Sequence, residues 1–356
     1  MKKHKKTLKR MKRNRLIASG GQGCIFRPAL TCDTKKHKRR RRKGAQTKRD
    51  IKRSNYISKV AYNKRSSDRE YKMNQYIRKI PGYEDWAILW DDYCYTRPYE
   101  IISKTSDIKT CLDRKNIKAH PRSKYPLLIG TYGGEALDDL ATGMYASPLF
   151  DSQKKFDDAL LKLHKILLNL EHGITEMKIN NMLHGDLSSG NVVIKRGVSK
   201  LIDFGLSCTL SQMNYLSKRL KFITKIHRMY EPYPYEYMCN AMTKKQLTQE
   251  SKMYAERDHF DDYICIYENI LGIPDQTKKI RDYLSDRISG KRKQRSVDYF
   301  FKHVDTYSLG ILIPTILLDV SVVSEVTQDK LSDLCRNCRH QHIFDLCKER
   351  ISVFDV

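Results

Sequence analysis

Residues 184–205 restrict what this chain can fold into more than any other stretch, reading HGDLSSGNVVIKRGVSKLIDFG. A polar island is followed by an apolar run, a turn at Lys195, Arg196 and Gly197, a second apolar run, and Asp-Phe-Gly. Two short strands about such a turn make a hairpin, which returns its end to its beginning. Asn191, where the first strand starts, is therefore expected beside Asp203, where the second one ends. An amide oxygen and a carboxylate meeting there are hard oxygen donors, of the sort Mg2+ takes while keeping phosphate oxygens and waters. Asp186 lies five positions before Asn191, in a loop where packing needs neither, and is left to face a hydroxyl.

Around this block the chain changes character. The first half carries short β-branched or aromatic runs bounded by turn residues: RLIASG, GCIFRPAL, NYISKVAY, WAILW and YPLLIGTY. Among them SSDREYKMNQYIRKI repeats Tyr71, Met73, Tyr76, Ile77 and Ile80 at roughly helical spacing. From about residue 150 helical patterns dominate, beginning with a stripe of Leu160, Leu163, Leu167 and Leu170. A sheet-rich front with one helix and a helical back predict an α+β chain with a cleft between its parts.

IASGGQGCIF places Gly20, Gly21 and Gly23 between two strands, where backbone amides can approach a phosphate without a Cβ in the way. A strand rather than a helix follows, which excludes the dinucleotide-binding and P-loop versions of such a loop. Lys59, inside an apolar strand, either faces solvent or is buried and paired, and Glu70 at the start of the periodic helix is the partner within reach.

Taken in order, these motifs resemble the eukaryotic-type protein kinases, whose catalytic loop reads His-Arg-Asp-Leu-x-x-x-Asn and whose metal loop reads Asp-Phe-Gly. SGGQGCIFRPAL, YISK and HGDLSSGN together are similar to the serine/threonine kinases encoded by large DNA viruses. The resemblance implies a bilobal fold, with a small antiparallel-sheet N-lobe carrying one helix (16–134) and a larger helical C-lobe (135–356). It implies a basic tail over 1–15 and insertions over 31–55 and 237–303. Transfer of the ATP γ-phosphoryl group to serine or threonine hydroxyls of proteins is the expected activity, with ATP and Mg2+ as cofactors. Asp186 is then the catalytic base, Lys59 with Glu70 the phosphate-binding pair, and Asn191 with Asp203 the metal ligands. Ile17, Ala18, Gly20, Gly21, Gly23 and Ile25 would cover the nucleotide, while Thr131, Tyr132 and Gly133 offer backbone to adenine next to Ile129 at the gatekeeper position. Pro234 and Glu236 in YPYEY match the Ala-Pro-Glu element, with Arg350 as the partner of Glu236. VDTYSLG opens the central helix, with Asp305 bracing the catalytic loop.

Three positions depart from that pattern. Ala18 replaces the first glycine of the loop. Gly185 replaces an arginine that pairs with a phosphate on the activation segment, so activity without that modification is expected. Ser188 replaces a lysine that touches the transferring phosphate. His-Gly-Asp also occurs in small-molecule kinases of the same superfamily, which keeps that alternative open, and an inactive scaffold docked on nucleic acid or virion cores is a second one.

Charge bears on partners. Lys and Arg number 68 against 41 Asp and Glu, a net +27, concentrated in residues 1–15 and 35–53. Such runs suit nucleic acid or acidic protein, although solvated tails have the same composition. The basic N-terminus leads into no apolar signal segment, and the longest apolar run is interrupted by Pro314 and Asp319, so no membrane span is expected. An intracellular place, in host cytoplasm or virion, follows from the resemblance. Ten scattered cysteines then read as reduced thiols. Cys335, Cys338, His340, His342 and Cys347 hold half of a zinc pattern without the second half and read as packing residues.

Overall fold

The computed structural model describes residues 15–19, 23–32, 55–97, 124–144, 149–212, 232–240, 242–256, 262–293 and 295–354. Gly20, Gly21 and nearly all of both basic segments lie outside these residues. Two compact units divide the chain, Met1–Lys79 with Ile88–Gly133, and Ile80–Ala87 with Gly134–Val356.

The first unit holds a five-stranded antiparallel sheet in the order β1-β2-β3-β5-β4, with β1 Arg15–Ser19, β2 Gly23–Arg27, β3 Tyr56–Ala61, β4 Trp90–Thr96 and β5 Tyr125–Thr131. One face carries an apolar cluster of Cys24, Phe26, Leu30, Val60 and Leu127, with Ile129 and Cys94 against it. Leu30 reaches it because the chain turns back over the sheet after β2, donating from the Ala29 amide to Tyr56 O (2.9 Å) and from the Leu30 amide to Ser58 Oγ (2.9 Å). Gly23 is required where it stands, since a Cβ would lie 2.5 Å from Val60 O on β3.

Helix α1, Lys64–Ile77, is capped by Asn63, whose side chain accepts from the amides of Arg65 and Ser66. Its buried face is Ser67, Glu70, Met73, Asn74 and Ile77, whereas Tyr76, predicted as part of an apolar stripe, is exposed. Two of those buried side chains have work along β4: Asn74 Oδ1 accepts from Trp90 N (2.6 Å) and Glu70 Oε1 accepts from Trp90 Nε1 (2.5 Å). WAILW is not one strand. Trp86 ends a short helix, α2 (Tyr83–Trp86), while Trp90 starts β4, WDDYCYT, in which two adjacent aspartates interrupt the alternation.

The thiols of this unit are not all reduced: Cys32 and Cys94 form a disulfide, and Cys24 is disulfide-bonded as well. Scattered spacing hides a pair 62 residues apart that the sheet brings together.

The second unit is built around helices. In chain order these are α2, α3 (Leu137–Met144), α4 (Gln153–Ile179), α5 (Tyr235–Asn240), α6 (Lys244–Glu256), α7 (Asp262–Ile264), α8 (Gln276–Ser289), α9 (Val297–Val323), α10 (Gln328–Arg336) and α11 (Gln341–Ile351). The predicted leucine stripe of α4 is buried throughout. Trp86 of α2 packs against it at Gly173, where a Cβ would come within 3.0 Å of the indole. Short strands β6 (Glu135–Ala136), β8 (Val192–Lys195) and β9 (Val198–Leu201) make one sheet, and β7 (Met182–Leu183) pairs with β10 (Cys208–Thr209). Among the described residues α9 is long and apolar enough to cross a membrane, yet 72% of its most apolar window is buried, which marks it as the core helix of this unit. It begins at Val297, two turns before VDTYSLG. The chain is thus α+β, with an antiparallel sheet in one unit and mostly helix in the other.

Candidate active site

The hairpin forms as the spacing requires. Val192 pairs with Leu201 and Lys195 with Val198 across a turn at Arg196 (φ 54°) and Gly197 (φ 81°). Two positive φ angles in a two-residue turn match the twist of the strands, which is why a glycine sits there. The ladder extends one step further, with Ile202 N donating to Asn191 O at 3.0 Å, so Asn191 lies directly beside the residue preceding Asp203.

The island before it is held from below. Leu187 and His184 are buried, while Asp186, Asn191 and Asp203 are half-buried and accessible. Asp305 of α9 accepts from the amides of His184 (2.6 Å) and Gly185 (2.9 Å), one on each carboxylate oxygen. Burial pushes the Asp305 carboxyl above the usual carboxylate range, against His184 and the two amides, which favour its ionised form. The His184 ring contacts Ile202 O through Nε2 (3.2 Å), meets the amide of Asp186 at Nδ1 (3.3 Å) and lies edge-on to Phe204 at 5.0 Å. Asn191 Nδ2 donates to Asp186 O (2.7 Å) and to Asp186 Oδ2 (3.1 Å). Those two hydrogen bonds fix the carboxylate against the amide and turn the Asn191 carboxamide oxygen away from it. Asp203 adopts a left-handed backbone (φ 57°, ψ 67°) and accepts from Gly205 N at 3.3 Å. A non-glycine residue held there is strained, and such residues concentrate at functional positions.

In the first unit Lys59 is buried, not solvent-facing. Its Nζ lies 2.9 Å and 3.1 Å from the two oxygens of Glu70, which is equally buried. Strand register places Ala18 opposite Ile25, Ile25 opposite Lys59 and Lys59 opposite Leu128, so these side chains share one face of the sheet. Ile129 is one residue out of that row and packs in the cluster on the opposite face. Gly130 shares the face of Lys59, and a Cβ there would lie 3.1 Å from the Trp90 ring. Thr131 ends β5, with Oγ1 3.5 Å from Asp91 Oδ2. Tyr132 N donates to Asn55 O (2.8 Å), its ring lies under Arg27 (3.6 Å), and Gly133 follows at the end of the unit. Ile17 is 45% exposed at the rim of the sheet.

One expected partner is wrong. Glu236 is buried beside Arg295 (Nε, 3.2 Å) and Arg292 (Nη1, 3.7 Å), both from the 237–303 stretch, while Arg350 pairs with Glu171 at 2.8 Å. Sequence reasoning also missed Trp90, whose indole N–H joins the Lys59–Glu70 pair. A tryptophan at the end of an apolar run offers no signal for that role. Among the described residues no group of three or more His, Cys, Asp and Glu side chains is placed to hold a metal ion. Cys335, Cys338 and Cys347 are buried free thiols, and burial pushes the latter two up to about 11 and about 12.

No family model matches the sequence, and no curated protein does either. Among solved structures the chain is similar to a Stt7 homolog from Micromonas algae soaked with ATP, at 14% identity and a TM-score of 0.33. The match covers 55% of this chain and 49% of that one, so the chain spans about half the length of the structure it resembles. So distant a likeness says nothing about activity, for which the side-chain geometry has to speak.

Proposed function

We propose that this protein is a protein kinase that transfers the γ-phosphoryl group of ATP to serine or threonine hydroxyls. The observation that carries the reading is the Asp186–Asn191 pair, held over Asp305 at the mouth of a hairpin that ends on Asp203. A carboxylate oriented by an amide suits a base that must meet one hydroxyl in one direction.

Asp186 would orient the acceptor hydroxyl and take its proton. Its loop cannot drift, because Asp305 and Asn191 hold the backbone on both sides of it. Lys59, aimed by Glu70, would bind phosphate oxygens of ATP, and the strands bearing Ala18, Gly23 and Ile25 would cover them. The donor set fits a divalent cation: with Asn191 Nδ2 committed to Asp186, its carboxamide oxygen and the Asp203 carboxylate are hard ligands on neighbouring strand ends. Bound there, Mg2+ would neutralise charge on the transferring phosphoryl group. The basic segments 1–15 and 35–53 would serve docking on polyanions, apart from the chemistry.

The test is incorporation of labelled phosphate from ATP into basic and acidic carrier proteins and into a small-molecule acceptor panel. Protein labelling that Asp186→Asn abolishes is the expected result. Labelling of small molecules alone would replace this reading with a small-molecule kinase. No incorporation, and no rise in melting temperature with Mg-ATP, would leave the scaffold.

A further inference from the structure

Gly185 stands between the buried His184 and the half-buried Asp186, and its surroundings are unusual. Its φ is 71°, and a Cβ would lie 3.3 Å from Leu206 O, so a side chain there would be strained as well as crowded. An arginine reaching from this position toward a phosphate is therefore disfavoured by the backbone itself.

Another group grips the peptide instead. The Tyr233 hydroxyl donates to the Gly185 carbonyl oxygen. Tyr233 is itself buried, with its ring edge-on to Tyr237 at 5.3 Å. The residue before it is met too, since the Ser308 hydroxyl lies 2.6 Å from Pro232 O and 2.8 Å from Val304 O of its own helix, with one proton to share between them. Ser308 follows Asp305 by three positions on α9, so one helix face holds the catalytic loop through one side chain and the Tyr233 segment through another. The His184 carbonyl accepts from Ser207 Oγ at 3.0 Å. Both amides and both carbonyls of the His184-Gly185 pair are thus met by side chains of residues distant in sequence.

We infer that Tyr233 is a positioning residue: its hydroxyl, on the Gly185 carbonyl, keeps the Asp186 loop in its working geometry without a phosphorylated activation segment, while Ser308 on α9 meets the carbonyl of the preceding Pro232. A buried carbonyl left without its donor costs the full desolvation of that group, so the loop should respond to loss of one oxygen atom. The effect on turnover rests on the kinase reading above, whereas the bracing does not.

Hydrogen exchange over residues 184–191 and steady-state kinetics, measured on the full-length wild type, Tyr233→Phe and Ser308→Ala, test it. Tyr299→Phe, which removes a hydroxyl bonded to Val353 O at the far end of the chain, controls for general loosening. Tyr233→Phe should speed exchange of the loop about tenfold and lower kcat about tenfold, with the KM for ATP within about twofold of wild type. Ser308→Ala should act in the same direction, Tyr299→Phe should change neither, and phosphatase treatment should leave wild-type turnover intact. Unchanged loop exchange in Tyr233→Phe, equal responses to Tyr299→Phe, or activity lost to phosphatase would each overturn the inference. If the wild type transfers no phosphate but loop exchange responds as expected, the kinase reading fails and the brace stands.

Discussion

Lys59 and Glu70 show how much a single buried pair constrains. Each is almost fully out of water, and the Trp90 indole adds a donor to the carboxylate. Removing one partner strands the other charge, at a cost of about 3–5 kcal/mol, whereas replacing both with apolar side chains of similar volume is close to neutral. Lys59→Met and Glu70→Leu should each lower the urea midpoint, and the double variant should recover most of the loss. Additive losses in that double-mutant cycle would mean the pair is not coupled. On the kinase reading, Lys59→Met and the double variant should fail to transfer phosphate whatever their stability, because both lack the lysine proposed to bind ATP, and Glu70→Leu should be impaired because its lysine has lost the carboxylate that aims it.

Asp157 is a second residue whose surroundings set its charge. Burial alone would raise its carboxyl, but Arg339 (2.8 Å), Gln153 (3.0 Å) and Cys338 outweigh it and hold the group below the ordinary range. A lowered folded value contributes stability above the unfolded pKa that is lost as pH falls through the folded one. Arg339→Ala should therefore be less stable than wild type at about pH 7, and the gap should narrow as pH falls below the ordinary Asp value of about 3.9. Urea melts on either side of that value decide it, and a gap that persists undiminished in acid would assign the loss to packing.

At the scale of elements, the packing of α9 against α11 depends on one missing methyl. A Cβ on Gly310 would lie 2.8 Å from Ile351 Cγ2 and 2.9 Å from both Arg350 Cβ and Cys347 O. Helix propensity favours alanine over glycine by about 1 kcal/mol, but overpacking costs about 1–3 kcal/mol, and with a backbone oxygen among the neighbours the second effect should win. Gly310→Ala is expected to lower the melting temperature, and a rise would show that α11 can shift. Elements also explain the exchanged partner of Glu236. The stretch 237–303 folds as α6, α7 and α8 and returns Arg292 and Arg295 to the glutamate before α9 begins, so Arg350 is left to pair with Glu171.

For the whole molecule, the disulfide is a long-range covalent constraint. It ties Cys32, after β2, to Cys94 on the edge strand β4, enclosing the segment that carries much of the +27 charge. Closing a loop of 62 residues in the unfolded chain corresponds to about 4 kcal/mol of stabilisation. Cys94→Ser should lose stability of that order in denaturant titrations, and an unchanged midpoint would show that the staple adds nothing in solution.

What lies close along the chain is legible in the sequence by itself: the hairpin around Gly197, the leucine stripe of α4, and Asp186 five residues from Asn191. Each depends on alternation, helical period or turn chemistry, which near neighbours set. β4 is not legible in the same way, because two adjacent aspartates interrupt its alternation and its place depends on β5. Tertiary structure alone decided that Tyr233 takes the Gly185 carbonyl, that Trp90 completes the Lys59–Glu70 pair, and that Cys32 finds Cys94. Burial obliges every such polar group to find a partner, but many residues could serve equally well by type. Only packing chooses among them, because it fixes which one arrives within hydrogen-bond reach.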